Sequence, residues 1–248
     1  MNPDHSSDEV LDPVAAYDCV APLFADMSRR REAYLRKVED LVIARVPANS
    51  QSLLDVGAGD GRRAVRIARA AEIHTIVLLE PSAKMRVGAD ASCEIWPIRA
   101  EELNDAAPAE QSFDAIICLW NVLGHIRAHE RLKVLKALGQ LLSPKGALFV
   151  DVNHRYNMRA YGSWRTAGRM MYDRVFPSEA NGDVTTRWDV RGAVCSTYGH
   201  VFTQLEMQRL IAAAELVTAE VIFVDYESGE IQPSGLKGNL FYVLRRGG

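Results

Sequence analysis

Three glycines at two-residue spacing close an apolar run, Leu53-Leu54-Asp55-Val56-Gly57-Ala58-Gly59-Asp60-Gly61, and helix-forming sequence follows over 62–71. A strand, tight turn and helix in this order make a nucleotide pocket. The glycines let the backbone turn sharply and approach a ligand, and the free N–H groups of the helix N-terminus face whatever sits there. A second apolar run, Thr75-Ile76-Val77-Leu78-Leu79, ends in Glu80. That spacing sets a carboxylate at the tip of the neighbouring strand, where it can accept hydrogen bonds from ribose hydroxyls.

A dinucleotide fold writes G-x-G-x-x-G, and the position of its third glycine is Arg62 here. The pattern present is Asp-x-Gly-x-Gly-x-Gly. Further blocks follow in order: Leu79-Glu80-Pro81-Ser82 with Ala83-Lys84-Met85, then Arg99-Ala100-Glu101-Glu102-Leu103, then the run from Phe113 to Asn121. Together these blocks resemble the class I S-adenosylmethionine-dependent methyltransferases of small-molecule type. The resemblance runs from about Tyr17 to about Asn153 and more loosely to the C-terminus.

The resemblance implies an α/β fold: a doubly wound, seven-stranded, mostly parallel sheet whose last strand is antiparallel. It implies S-adenosylmethionine as cofactor, with S-adenosylhomocysteine as product. Asp55 and the Gly57, Gly59 and Gly61 backbones would serve the methionine and ribose end, and Glu80 the ribose hydroxyls. Pro81, Ser82 and Met85 would lie near the adenine, with Ala100 and Glu101 reading its edge and Leu103 packing on its ring. Leu119 and Trp120 would end the fourth strand beneath the methionine moiety. Tyr17 would close over the cofactor as an aromatic from the N-terminal segment. The family's second aromatic position is Phe24, which has no hydroxyl to offer.

Methyl transfer from a sulfonium asks the protein to align an acceptor and exclude water, and positioning can supply about 7–11 kcal/mol at best. No metal or covalent intermediate is needed, in keeping with the absence of H-E-x-x-H, G-x-S-x-G and P-loop sequences. On the acceptor side, Asn121 and His125 follow the fourth strand. His125 is either a general base, since its ordinary pKa lies near neutrality, or a loop anchor. Asn153, Arg155, Tyr156, Tyr161 and Trp164 are the candidate acceptor-binding residues. The Asn/Asp-Pro-Pro-Tyr/Phe motif of amino-group methyltransferases acting on DNA bases or protein glutamine is replaced by Leu119-Trp120-Asn121-Val122, which points to transfer onto an N or O atom of a small metabolite. Two alternatives remain: an NAD(P)-dependent oxidoreductase on a similar sheet, or a catalytically silent partner subunit that binds S-adenosylmethionine.

The elements that must position these residues are legible from periodicity. A helix is expected over 28–46, stopped by Pro47, and strands over 52–57, 75–80, 95–100, 113–120 and 147–152. Helices are expected over 61–71, 82–88 and 128–142, with a turn at Ser143-Pro144-Lys145-Gly146. Helix, strand and strand resume over 203–216, 218–224 and 240–244. Apolar strands alternating with helices make a parallel sheet covered on both faces. Residues 154–200 interrupt the alternation with an aromatic-rich stretch in which 184–198 alternates like two short strands. A stretch of this length between core elements reads as a substrate lid.

All 248 residues fit one domain: an N-terminal helical cap over 1–46, a cofactor core over 47–153, the insertion over 154–201 and completion of the sheet over 202–248. A net charge of −3 gives no broad attraction to nucleic acid. The four cysteines, Cys19, Cys93, Cys118 and Cys195, contain no C-x-x-C pair and read as reduced thiols in a cytoplasmic protein. Residues 1–13 lack the basic and apolar regions of a leader, and no apolar run reaches membrane-spanning length. The expected partner is a small-molecule acceptor. Oligomeric state is open.

Overall fold

A computed structural model of the chain describes residues 10–106, 111–190 and 193–247. The expectation about a leader falls largely on residues 1–9, outside the described residues. The chain opens with β1 (Val10–Leu11), α1 (Pro13–Arg29) and α2 (Glu32–Ile43). The core then alternates through β2 (Ser52–Val56), α3 (Arg62–Ala70), β3 (Thr75–Leu79), β4 (Glu94–Trp96), α4 (Leu103–Ala106), β5 (Phe113–Cys118), α5 (Val122–His125), α6 (Ala128–Gln140) and β6 (Leu142–Val152). The insertion holds α7 (Met158–Tyr161), α8 (Ser163–Val175), β7 (Asp183–Val190) and β8 (Ala193–His200). The chain ends with α9 (Gln204–Ala213), β9 (Leu216–Val224), β10 (Ile231–Gln232) and β11 (Asn239–Arg246).

The main sheet runs β10-β9-β11-β6-β5-β2-β3-β4. Strands β4, β3, β2, β5 and β6 are mutually parallel, and β11 is antiparallel to both of its neighbours. Among the described residues this sheet has eight strands where seven were expected, because the two-residue β10 pairs antiparallel with the edge of β9. A two-residue strand carries no periodicity to read. Strand direction alternates the buried side chains between two cores. Leu54, Val56, Ile116 and Val150 meet α6 and α9 on one face, while Leu53, Ile117 and Phe149 meet α2 and α3 on the other. Chain order reverses between β2 and β5, and at such a switch point the carboxyl ends of the strands leave a crevice.

Three local expectations are corrected. The helix expected over 28–46 is α2, shorter at both ends (Glu32–Ile43), and its first residues belong to the end of a separate α1. Residues 82–88 form turns instead of helix. There the Ser82 hydroxyl accepts the Met85 N–H and the Arg86 guanidinium donates to the Glu80 and Pro81 carbonyls, so side chains satisfy the backbone groups a helix would use. Residues 143–146 lie within β6 as an irregularity: Phe113 pairs with Leu142, and the register resumes with Ala115 opposite Ala147.

The insertion builds a second, three-stranded sheet, β1-β8-β7, joined by an antiparallel β7–β8 pair and a parallel β1–β8 pair. Helix α1 packs against it, and Cys19 on α1 is disulfide-bonded to Cys195 on β8. This overturns the reading of four reduced thiols, since residues 176 positions apart in sequence gave no spacing signal for the pair. Cys93 and Cys118 are free and buried, and burial pushes the Cys118 thiol up to about 12. No helix among the described residues is long and apolar enough to cross a membrane.

Thiol titration under non-reducing conditions is expected to count two thiols in denaturant and almost none in the native protein. Four thiols in denaturant would contradict the Cys19–Cys195 bond.

Candidate functional site

A cavity of about 1390 Å³ opens at the switch point. Gly57 and Gly59 of the turn after β2 form its floor, and they and the neighbouring Gly61 all have left-handed φ, +68°, +59° and +74°. Space as well as φ demands glycine at two of them. A Cβ on Gly57 would stand 2.6 Å from Val122 Cγ2, and one on Gly61 would stand 2.5 Å from Leu78 Cδ1. Glu80 stands beside this turn with both oxygens engaged by the backbone: Oε2 accepts the Gly59 N–H at 2.9 Å and Oε1 accepts the Ser82 N–H at 2.9 Å. Burial raises its carboxyl above the ordinary range, opposed by those two hydrogen bonds.

Asp55 is fully buried and does not line the cavity. It stands behind the wall, where Arg63 grips it through Nε at 2.9 Å and Nη2 at 2.6 Å. Nη2 also donates to the Gly57 carbonyl at 2.8 Å, so the pair fixes the glycine turn from beneath. Burial raises the Asp55 carboxyl, and the Arg63 charge opposes it. The Arg63 guanidinium lies 4.8 Å from the centre of the Trp120 ring.

Trp120 and Asn121 are consecutive non-glycine residues with left-handed φ, +64° and +61°, a conformation worth about 1–3 kcal/mol of strain each. The surroundings hold them there. Asn121 donates its N–H to Asp151 Oδ1, accepts the Asn153 N–H on its side-chain oxygen at 3.0 Å, and donates Nδ2–H to the His200 carbonyl. Its side chain therefore ties β5 to β6 and β8. Tyr34 completes the frame by donating to Asp151 Oδ2 at 2.5 Å. The Trp120 indole N–H is buried with no partner and belongs to a residue on the cavity wall.

The wall opposite the glycine turn joins α1, α5 and the insertion. His125 Nδ1 lies 2.9 Å from the Tyr198 carbonyl, and Nε2 lies 3.0 Å from the Tyr17 hydroxyl. A carbonyl only accepts, so Nδ1 carries the hydrogen and the Nε2 lone pair accepts from Tyr17. Burial lowers the His125 pKa and raises that of Tyr17. Tyr17 also packs on Phe24 and on Trp188 of β7, with ring centres 6.1 and 5.6 Å away.

Of the residues singled out from sequence, Tyr17, Gly57, Gly59, Glu80, Pro81, Met85, Ala100, Glu101, Leu119, Trp120, Asn121, His125 and Asn153 share this cavity. Gly61 and Ser82 stand outside its lining, and Ser82 instead donates to Asp18 of α1 at 2.5 Å. Leu103 is in the core, away from the cavity. Arg155 and Tyr156 are engaged within the insertion: Arg155 binds Asp173 through Nε and Nη2, and Tyr156 donates to the same carboxylate at 2.7 Å. Tyr161 lines a separate 230 Å³ cavity with Arg31, Asn153 and Tyr226, and Trp164 projects into solvent. Arg63 and Trp188 carry weight that sequence reading missed. An arginine in the first turn of the helix after a buried-strand aspartate was a usable signal for the first, whereas nothing local distinguished Trp188.

A family model described as a methyltransferase domain matches residues 27–221. No curated protein matches the chain. Among solved structures, the CcbJ methyltransferase from Streptomyces caelestis superposes with a TM-score of 0.66 at 14% identity, covering 94% of this chain and 98% of that one. The Burkholderia thailandensis 1,6-didemethyltoxoflavin-N1-methyltransferase, solved with its namesake ligand and S-adenosylhomocysteine, gives 0.61 at 14% identity, over 100% of this chain and 94% of the other. The sugar N-methyltransferase KedS8 from Streptoalloteichus gives 0.59 at 16% identity, over 99% and 98%. The fold is thus that of the class I methyltransferases.

Replacing Arg63 by alanine strands the Asp55 carboxylate in the core and is expected to cost about 3–5 kcal/mol in urea unfolding. Arg63→Lys, which keeps the charge and loses the two-pronged grip, should fall between. An Arg63→Ala variant as stable as the parent would show that the clamp does not hold the turn.

Proposed function

Since the chain belongs to the methyltransferase-domain family, we propose that it binds S-adenosylmethionine in the switch-point cavity and moves a methyl group to an N or O atom of a small metabolite. The observation that carries this reading is the joining, in one cavity, of the glycine turn with Glu80 to the Tyr17–His125 pair. The residues present fit the cofactor. Glu80 keeps acceptor capacity beyond its two backbone bonds for ribose hydroxyls, Met85, Ala100 and Glu101 line the wall for a purine, and the unpartnered Trp120 indole N–H is a donor for a carboxylate. When bound, the cofactor supplies a methyl group already activated on sulfonium.

The chain's own part is to orient the acceptor, exclude water and take its proton. Tyr17, Phe24, Trp120 and Trp188 make an aromatic wall that keeps the reacting end dry. His125 is both anchor and base: Nδ1–H holds the loop to the Tyr198 carbonyl, and this leaves Nε2 unprotonated. Its lone pair is already engaged by Tyr17, so an acceptor proton reaches Nε2 by way of the Tyr17 hydroxyl, which releases its own hydrogen to the imidazole as it receives one. Asn121 acts by position, holding the loop that carries His125. Residues 47–153 serve the cofactor, and the insertion supplies Trp188 and Thr186 to the acceptor side. The neighbours named for N-methylation of a toxoflavin precursor and of a sugar support a small acceptor. The oxidoreductase and silent-subunit alternatives draw no support from the family match.

Calorimetry is expected to give micromolar binding of S-adenosylmethionine and S-adenosylhomocysteine and none of a nicotinamide dinucleotide. Dinucleotide binding alone would replace this reading with the oxidoreductase one. Glu80→Ala should weaken cofactor binding by about 1–3 kcal/mol with the fold retained. In a labelled-methyl assay with small amines, phenols and acids, His125→Ala should lower kcat roughly 10²–10⁴-fold at unchanged cofactor affinity. A base whose pKa is lowered is neutral at pH 7, so the acid limb of kcat is expected below the ordinary histidine value and absent from the variant. An acid limb that survives in His125→Ala would assign the proton elsewhere.

A further inference from the structure

Helix α8 is amphipathic the wrong way round. Its polar side grips the fold: Asp173 holds Arg155, Tyr156 and Asn181, and Arg169 lies 4.6 Å from the Tyr161 ring centre. Its apolar side faces out. Trp164 is 93% exposed, and Met171, Tyr172, Val175 and, just past the helix end, Phe176 are between 55% and 65% exposed. Other exposed large apolar side chains, such as Val87, Leu205 and Val217, are spread one to an element. None of the five lines either cavity, so neither cofactor nor acceptor covers them.

The area decides what kind of occupant is needed. With aromatic side chains worth about 150–250 Å² each, the five offer roughly 700 Å². That exceeds the 300–600 Å² or so of the largest apolar patch on a typical monomer. It approaches the roughly 800 Å² that each partner gives to a standard interface.

We propose that this face seats a second copy of the chain, with the two α8 helices antiparallel about a twofold axis near Tyr172. A twofold contact brings one patch against itself, and a stripe that is apolar along its length is complementary to itself under that operation. An axis at residue 172 sets Phe176 of one copy over Gly168 of the other. At Gly168 an added Cβ would meet nothing within 4 Å, so the helix offers a gap for the ring. Tyr172 and Phe176 are already packed together, ring centres 5.3 Å apart, which lowers the entropy lost on docking. The same axis turns the basic Arg165 end of one helix toward the acidic Glu179 segment of the other, and it opposes the two helix dipoles.

Light scattering and sedimentation of the full chain from 1 to 100 μM are expected to give twice the 27.5 kDa chain mass. Trp164→Glu with Met171→Glu should yield a monomer with an unchanged circular dichroism spectrum, while Val87→Glu stays dimeric. Because the paired charges are themselves a perturbation, a second measurement uses Tyr172→Cys in an otherwise intact chain, which should cross-link between copies under mild oxidation, whereas Leu205→Cys should not. A parent that stays monomeric at 100 μM overturns the proposal. So does a dimer indifferent to Trp164→Glu with Met171→Glu, or one that Leu205→Cys cross-links as readily as Tyr172→Cys.

Discussion

The Asp55–Arg63 pair is the constraint on which the pocket rests. A carboxylate at the end of a buried strand cannot remain ionised without a partner, and the partner comes from the first turn of the following helix. The guanidinium then has donors left over. One goes to the Gly57 carbonyl, fixing the turn, and the group's centre lies 4.8 Å from that of the Trp120 ring. A single buried ion pair thereby sets the path of the glycine loop and supports the strained residues that end β5. The two walls of the cavity, the glycine turn and the end of β5, share one foundation.

The second feature of the architecture is that α1 and the insertion meet over the carboxyl edge of the sheet. Asp12 binds Arg99, Asp18 accepts from Ser82, and Tyr17 donates to His125, so α1 is fastened to the loops after three different strands. The insertion reaches the same place from the other direction, through the Tyr198 carbonyl on His125, the Trp188 ring against Tyr17 and the Cys19–Cys195 bond. Closure of the pocket is thus a property of two segments that are far apart in sequence and do not belong to the alternating core. Within the insertion, the buried grip of Asp173 on Arg155 orients α8, which turns its apolar side to solvent.

The sequence by itself determined the parallel core and the glycine turn that lines one wall of the cavity. Strand runs separated by amphipathic helices leave one way to bury both faces, and glycines demanded by φ and by close contact announce themselves as residue types. Glu80 was legible because a strand end fixes where its last side chain emerges. What only the tertiary structure decided are the groups whose meaning lies in a distant partner. Asp55 proved to hold a turn from behind, and Arg155 and Tyr156 proved to bind Asp173 in place of a ligand. Residues 82–88 lost their helix to side chains bonding the local backbone. Cys19 found Cys195, and His125 acquired its tautomer from a carbonyl 73 residues away. Periodicity and turn chemistry are local, so a sequence states them directly. Desolvation, hydrogen-bond partnership and strain depend on what the fold brings alongside.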